Sequence, residues 1–181
     1  MPNKTITETK EQKLNSTLTY LKSSIEKLHP KVQVILRSWI HTWSKLLRYE
    51  NSFISSNLGH FKRGEVIYVD FGFNVGNEFG GIHYAIVVEK SNSARDRKIV
   101  VIPLTSLDTH ERIDNIHHTE VFLGKVIPWT NKNSVAMPMA IRSISKMRII
   151  KPIKKTDKRT KISNTHLTLI DEKIKNYFVK L

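Results

Sequence analysis

Cysteine is absent from the 181 residues. That excludes a disulfide framework and a cysteine-ligated zinc site, and it fits a reducing, cytoplasmic setting. Long hydrophobic runs are missing too. No stretch approaches the length of a membrane span. The polar start, with Lys4, Glu8, Lys10, Glu11 and Lys13, has no apolar segment behind it that would make a signal peptide. Acid is in short supply, 16 Asp and Glu against 30 Lys and Arg, for a formal charge of +14. An excess of that size draws polyanions, nucleic acid first among them, and would draw an acidic protein partner by the same field. Glycine is scarce, yet Gly72, Gly76, Gly80 and Gly81 fall within ten residues. Such a cluster marks tight turns and backbone that closely approaches something else. It lacks the lysine-hydroxyl ending and following helix of a phosphate-binding loop.

Apolar content is ordinary, enough for one domain of usual size plus an extension. Residues 1–12 read as a flexible polar tail. From Leu14 through Leu18, Leu21, Ile25, Leu28, Val32, Ile35 and Trp39, apolar residues recur at spacings of three and four, a helical stripe. Pro30 divides it, so residues 13–50 read as a helical extension of two helices, the second beginning at Pro30. Trp39 and Trp43 share a face and are expected to pack in a core. Residues 51–60 read as a linker, and residues 61–181 as a β-rich domain with a terminal helix.

Three apolar runs dominate that domain: Val66–Val69, Ala85–Val88 and Ile99–Leu104, read as strands. Residues 106–117, with Asp108, His110, Glu111, Arg112 and Asp114, form a polar loop. Further strands are expected at His118–Leu123 and, despite Pro138, at Val135–Ile141. Helix capping is expected at Thr168, with Asp171 in the first turn. Short strands with glycine turns point to a small barrel rather than a doubly wound sheet. His110, His117 and His118 have no carboxylate set at ligand spacing beside them, so no metal site is expected. Nothing calls for a cofactor. Between Arg142 and Lys161, nine basic residues face one acid. Lys146, Arg148, Lys151, Lys154, Lys155, Lys158 and Arg159 in that stretch make a candidate RNA-binding surface.

Order and spacing give these pieces a further meaning. Arg63-Gly64 precedes the first strand, and Gly80-Gly81 ends the loop. Ala85-Ile86-Val87-Val88 forms the second strand, and Leu104-Thr105-Ser106 closes the third. Later come Ser134-Val135 and the run Ile141-Arg142-Ser143-Ile144-Ser145-Lys146-Met147-Arg148. This pattern resembles the MazF/PemK family, the RNA-cutting toxins of bacterial toxin–antitoxin pairs, across roughly residues 61–181. The resemblance implies a mainly β fold with terminal helices, a small SH3-like barrel here carrying an N-terminal helical extension. It implies a sequence-selective, metal-independent endoribonuclease acting on single-stranded RNA through its 2′-hydroxyl. It also implies a homodimer, and a cognate antitoxin whose acidic disordered tail occupies the RNA groove. The family's catalytic pair, an arginine after Gly-Gly and a threonine closing the third strand, maps onto His83 and Thr105. Ser106, Arg142 and Ser143 map onto supporting, phosphate-contacting positions. Met139 and Ala140 stand where the family usually carries glutamate and glutamine. Glu78, Asn77, Gly80, Gly81, Arg95 and Arg97 are candidate loop contacts, as is Arg112. The exchange of arginine for His83 leaves a second reading open, a non-catalytic nucleic-acid- or partner-binding barrel. A third is an adaptor that uses the helical stripe.

Overall fold

A computed structural model of the protein describes residues 9–107 and 116–179. The chain forms two compact units, Met1–Arg48 and Tyr49–Leu181.

In the first unit, α1 (Lys10–Glu26) starts at a reciprocal cap. Gln12 N–H donates to the Thr9 hydroxyl (3.2 Å), and Thr9 N–H donates to the Gln12 side-chain oxygen (2.8 Å). The second helix, α2 (Pro30–Tyr49), opens on Pro30, where a missing N–H costs no helical bond. Between them the Gln33 amide donates to the Glu26 and Leu28 carbonyls, which α1 leaves unpaired at its end. No described residue of either helix is buried, and Trp43 remains 48% exposed. Within this unit neither tryptophan is enclosed in a core, Trp39 being partly buried. A pair of helices encloses no interior able to surround an indole.

The second unit contains eight described strands: β1 (Glu65–Asp70), β2 (Ile82–Val87), β3 (Lys98–Leu107), β4 (Val121–Gly124), β5 (Asn133–Ala136), β6 (Arg142–Ser145), β7 (Ile149–Lys151) and β8 (Thr160–Lys161). The terminal helix α3 (Asn164–Phe178) follows. All pairings are antiparallel, in the order β4-β5-β3-β2-β1-β7, with β6 beside β3 and β8 beside β1. The fold is thus mainly β with terminal helices, a barrel-like wrap of one sheet. Side chains alternate across a strand, yet β1, β2 and β3 are apolar at nearly every position. The reason is that both faces are covered. Val66, Ile86 and Ile102 join Leu167 and Ile170 of α3 on one face. Ile67, Ala85, Val87 and Val101 pack with Phe61 and Ile144 on the other. Among the described residues, no helix is long and apolar enough to cross a membrane.

Three sequence-based boundaries change. The strand expected over Val135–Ile141 stops at Ala136, and Pro138 opens a short 3-10 turn, Pro138–Ala140. Proline fixes φ and offers no ladder N–H there. The strand expected from His118 begins at Val121, because His117–Glu120 closes a turn through Glu120 N–H to the His117 carbonyl (2.9 Å). Helix α3 begins one turn before Thr168. Ser163 is its cap, accepting from His166 N–H (3.1 Å), and the earlier start allows Leu167 to be buried. Asp171 then lies mid-helix and pairs with Arg63, which also donates to the Val88 carbonyl. Arg63 thereby ties the sheet to α3. Of the expected polar loop, Ser106 and Leu107 belong to β3, while Asp108, His110, Glu111, Arg112 and Asp114 lie outside the described residues. So do residues 1–8 of the tail and Leu181 of the expected helix.

Candidate active site

Strand β3 changes partners partway along. Its first half pairs with β6, through Val101↔Arg142, and its second half with β5, from Leu104↔Ala136. Pro103 lies at the change, and its carbonyl accepts from Met137 N–H (3.0 Å). On the other side, the ladder with β2 runs only as far as Ala85↔Pro103. Carried two places further, that register would set His83 opposite Thr105, on one face of the sheet. Instead the strands part, and a cleft of about 270 Å³ opens between them. His83, Thr105 and Ser106 all line it, with Tyr68, Tyr84, Thr130, Lys132 and Ser134.

The loop that delivers His83 is held by its own backbone. Gly81 N–H donates to the Gly72 carbonyl (2.7 Å), and Phe71 N–H donates to the Gly81 carbonyl (2.8 Å). The Asn74 amide donates to the Phe79 carbonyl (2.7 Å). Gly81 adopts φ +81°, a conformation that disfavours any side chain. At Gly80 the constraint is contact: a Cβ would lie 2.8 Å from the Gly72 carbonyl oxygen. Backbone would have to move, so Gly80→Ala is expected to lower unfolding stability by about 1–3 kcal/mol. A urea midpoint identical to the wild type would refute this account of the loop.

The His83 ring packs on Phe79, with centroids 4.6 Å apart. Partial burial lowers its pKa below the usual histidine value, and a hydrogen bond to the Leu104 backbone pulls weakly the other way. The imidazole is therefore neutral at neutral pH. Behind it, the Arg142 guanidinium donates to the Phe79 carbonyl (3.1 Å) and lies over the Phe71 ring. Arg142 thus braces the segment that carries the histidine.

Other expected site residues fall elsewhere. Ser143 pairs with Val100, five residues before Thr105 on β3 and so about 17 Å away along the strand. Arg95 and Arg97 precede the opposite end of β3. Arg97 donates to the Glu50 carbonyl (2.6 Å) and lies over the Phe53 ring. Asn77 and Glu78 are exposed on the glycine loop and do not line the cleft. Within the basic stretch, Lys146 is fully buried and donates to the Ser93 carbonyl (2.8 Å), so it presents no charge to a ligand. Burial lowers its pKa, and Asp96 and Glu89 oppose that. Arg148 is half-buried and donates to the Asp70 carbonyl (3.2 Å). Arg159 bonds Glu65 (2.9 Å) and the Leu58 and His60 carbonyls. Lys155 packs beside Gly59. Lys151, Lys154 and Lys158 remain exposed around a second cavity. His117 hydrogen-bonds Thr119 (2.7 Å) and stacks on His118, while His110 lies outside the described residues.

Residues 62–178 match the family model for the PemK-like, MazF-like toxin of type II toxin–antitoxin systems. The chain belongs to this family. The match spans the whole sheet from before β1 to the end of α3, and with it both sides of the cleft. No curated protein matches the sequence. Among the solved structures similar to this PemK/MazF-family chain are two endoribonucleases and a MazF. One is an endoribonuclease in complex with its cognate antitoxin from a mycobacterial species, 18% identical, covering 64% of this chain and 92% of that one at TM-score 0.42. The second is MazF from Deinococcus radiodurans, 17% identical, covering 65% and 94% at TM-score 0.48. The third is an endoribonuclease from a mycobacterial species, 16% identical, covering 65% and 90% at TM-score 0.42.

Sequence reasoning missed several residues that line the cleft of this PemK/MazF-family chain: Tyr68, Tyr84, Thr130 and Lys132. It also missed Trp129, whose indole N–H donates to the Tyr84 hydroxyl (2.6 Å). A signal was available. Trp129 belongs to no apolar periodicity and stands beside Thr130-Asn131-Lys132, where a large aromatic has no core to fill.

Proposed function

We propose that this toxin-family chain is a sequence-selective endoribonuclease that cuts single-stranded RNA without a metal ion. The observation that carries the reading is the convergence of His83 and Thr105 on one cleft where β3 parts from β2. The ribose 2′-hydroxyl attacks the adjacent phosphate, forming a 2′,3′-cyclic phosphate and releasing the 5′ oxygen. Neutral His83 takes the 2′ proton. The Thr105 hydroxyl donates to a non-bridging oxygen as charge builds there. The leaving oxygen also needs a proton, and Tyr84 is among the residues lining the same cleft. Its oxygen accepts from Trp129, so its own hydrogen stays available to donate. Lys132 supplies positive charge at the cleft wall. The same reading includes a homodimer, cytoplasmic action and a cognate antitoxin whose acidic tail competes for the RNA site.

A second reading is favoured by one observation. A neutral imidazole holds no permanent charge on a phosphate, as an arginine would. A barrel that binds RNA without cutting it would be the result. Incubating a long single-stranded RNA with purified protein and excess chelator separates the two. The expected result is cleavage at discrete sites, with a loss of about 10²-fold or more in rate for Thr105→Ala. Binding without cleavage at any pH would establish the second reading.

A further inference from the structure

We propose that the groove beside the cleft is a nucleobase-stacking subsite for RNA flanking the scissile phosphate. This rests on the RNA-cleaving reading above. The groove has a volume of about 690 Å³, within the range of ligand sites. Tyr68, Tyr84 and Trp129 line it together with Lys151, Lys154 and Lys158. Tyr68 and Tyr84 line the cleft as well, so the two spaces adjoin at one pair of residues.

The aromatic row is organised for stacking. Tyr68 and Tyr84 have centroids 4.7 Å apart, and Tyr84 and Trp129 6.1 Å apart. Both contacts are tilted, and the indole N–H bond to the Tyr84 hydroxyl fixes the outer ring in place. Trp129 is nevertheless 54% exposed. A large ring held by its edge with an open face is what a base can cover, and every base has a π-face.

The groove's lysines supply the complementary charge. Their loop is ordered by Asp157, whose carboxylate accepts from Ile153 N–H (2.8 Å) and Lys154 N–H (3.0 Å). Among the described residues lining the groove, the single acid is thus engaged with backbone, and three lysines share the groove with the aromatic row. Aromatic rings and cations around one groove, beside the cleft, suit a nucleic-acid strand better than an acidic peptide. A peptide would satisfy the lysines but leave the open indole face without a planar partner.

The test uses the full chain and a mixed-sequence 2′-O-methyl RNA oligonucleotide, which has no free 2′-hydroxyl to react. Affinity is read by fluorescence anisotropy over a salt series. Trp129→Ala is expected to weaken binding about tenfold or more, while Trp129→Phe keeps a stacking face and stays within about threefold. Lys154→Gln and Lys158→Gln should each flatten the salt dependence by about 0.7 in log–log slope. Wild-type affinity and slope in all four variants would overturn the proposal. So would a groove that answers only to poly-glutamate, since that assigns it to a protein partner. If the oligonucleotide binds with this signature but unmodified RNA is never cut, the subsite stands and the nuclease reading falls. If RNA is cut and the four variants bind normally, only the subsite falls.

Discussion

Replacing His83 with alanine is expected to slow RNA cleavage by about 10²–10⁴-fold, the usual contribution of a positioned acid–base group. His83 lines the cleft that Thr105 also lines, and no other histidine among the described residues does. Its pKa lies below the ordinary value because burial disfavours the imidazolium. For a base that acts in its neutral form, the sign follows directly. Activity stays on its plateau as pH falls through the ordinary histidine range near 6.5, and declines only at the lower pH where His83 takes up a proton. His83→Arg should remove that acid limb, since a guanidinium does not titrate there. Rate–pH profiles of the three proteins, measured in chelator, decide the matter. An alanine variant that cuts at the wild-type rate with an unchanged profile would remove His83 from the chemistry.

Arg159→Ala is expected to destabilise the protein by about 3–5 kcal/mol, the cost of stranding one member of a buried ion pair. The Glu65 side chain is only 10% exposed, and that of Arg159 18%. Removing the guanidinium takes away the ion-pair partner of that carboxylate. It also frees the Leu58 and His60 carbonyls and uncovers the Phe61 ring, over which the guanidinium lies at 4.5 Å. Arg159→Lys should recover only part of this loss, because one ammonium cannot reproduce a planar fork that reaches three acceptors. Urea unfolding reads the effect, and RNA affinity measured well below the unfolding transition should barely move. The reverse outcome, an unchanged midpoint with weakened RNA binding, would return Arg159 to the binding surface.

The contrast between these two residues shows what could be read from the chain alone. Strands β1, β2 and β3 declared themselves, because each carries an apolar, largely β-branched run that only a doubly covered strand would need. His83 and Thr105 were placed by the motifs that carry the family resemblance. The basic stretch was visible as charge, but the fate of each charge was not. Lys146 meets the Ser93 carbonyl and Arg159 meets Glu65, partners more than fifty residues away in sequence. No local pattern announces such a meeting, so cations that brace the fold looked the same as cations that face solvent. Trp129 was missed for the opposite reason. It serves no periodic face, and its significance depends on Tyr84, which reaches it only after the sheet has wrapped.

The change of partner at Pro103 has a mechanical consequence. Two residues facing each other on a closed ladder are held at a separation set by the ladder itself, about 5 Å between Cβ atoms. His83 and Thr105 escape that limit, since β2 pairs with β3 only up to Pro103 and β5 takes over beyond it. The gap between them is set by where β3 changes partner and by the His83 hydrogen bond to the Leu104 backbone rather than by ladder pairs. Substitutions around Pro103 and Met137 would therefore retune the aperture while leaving the His83 and Thr105 side chains themselves intact. Deuterium uptake at the Met137 amide, bonded to the Pro103 carbonyl, would report how firmly that aperture is set.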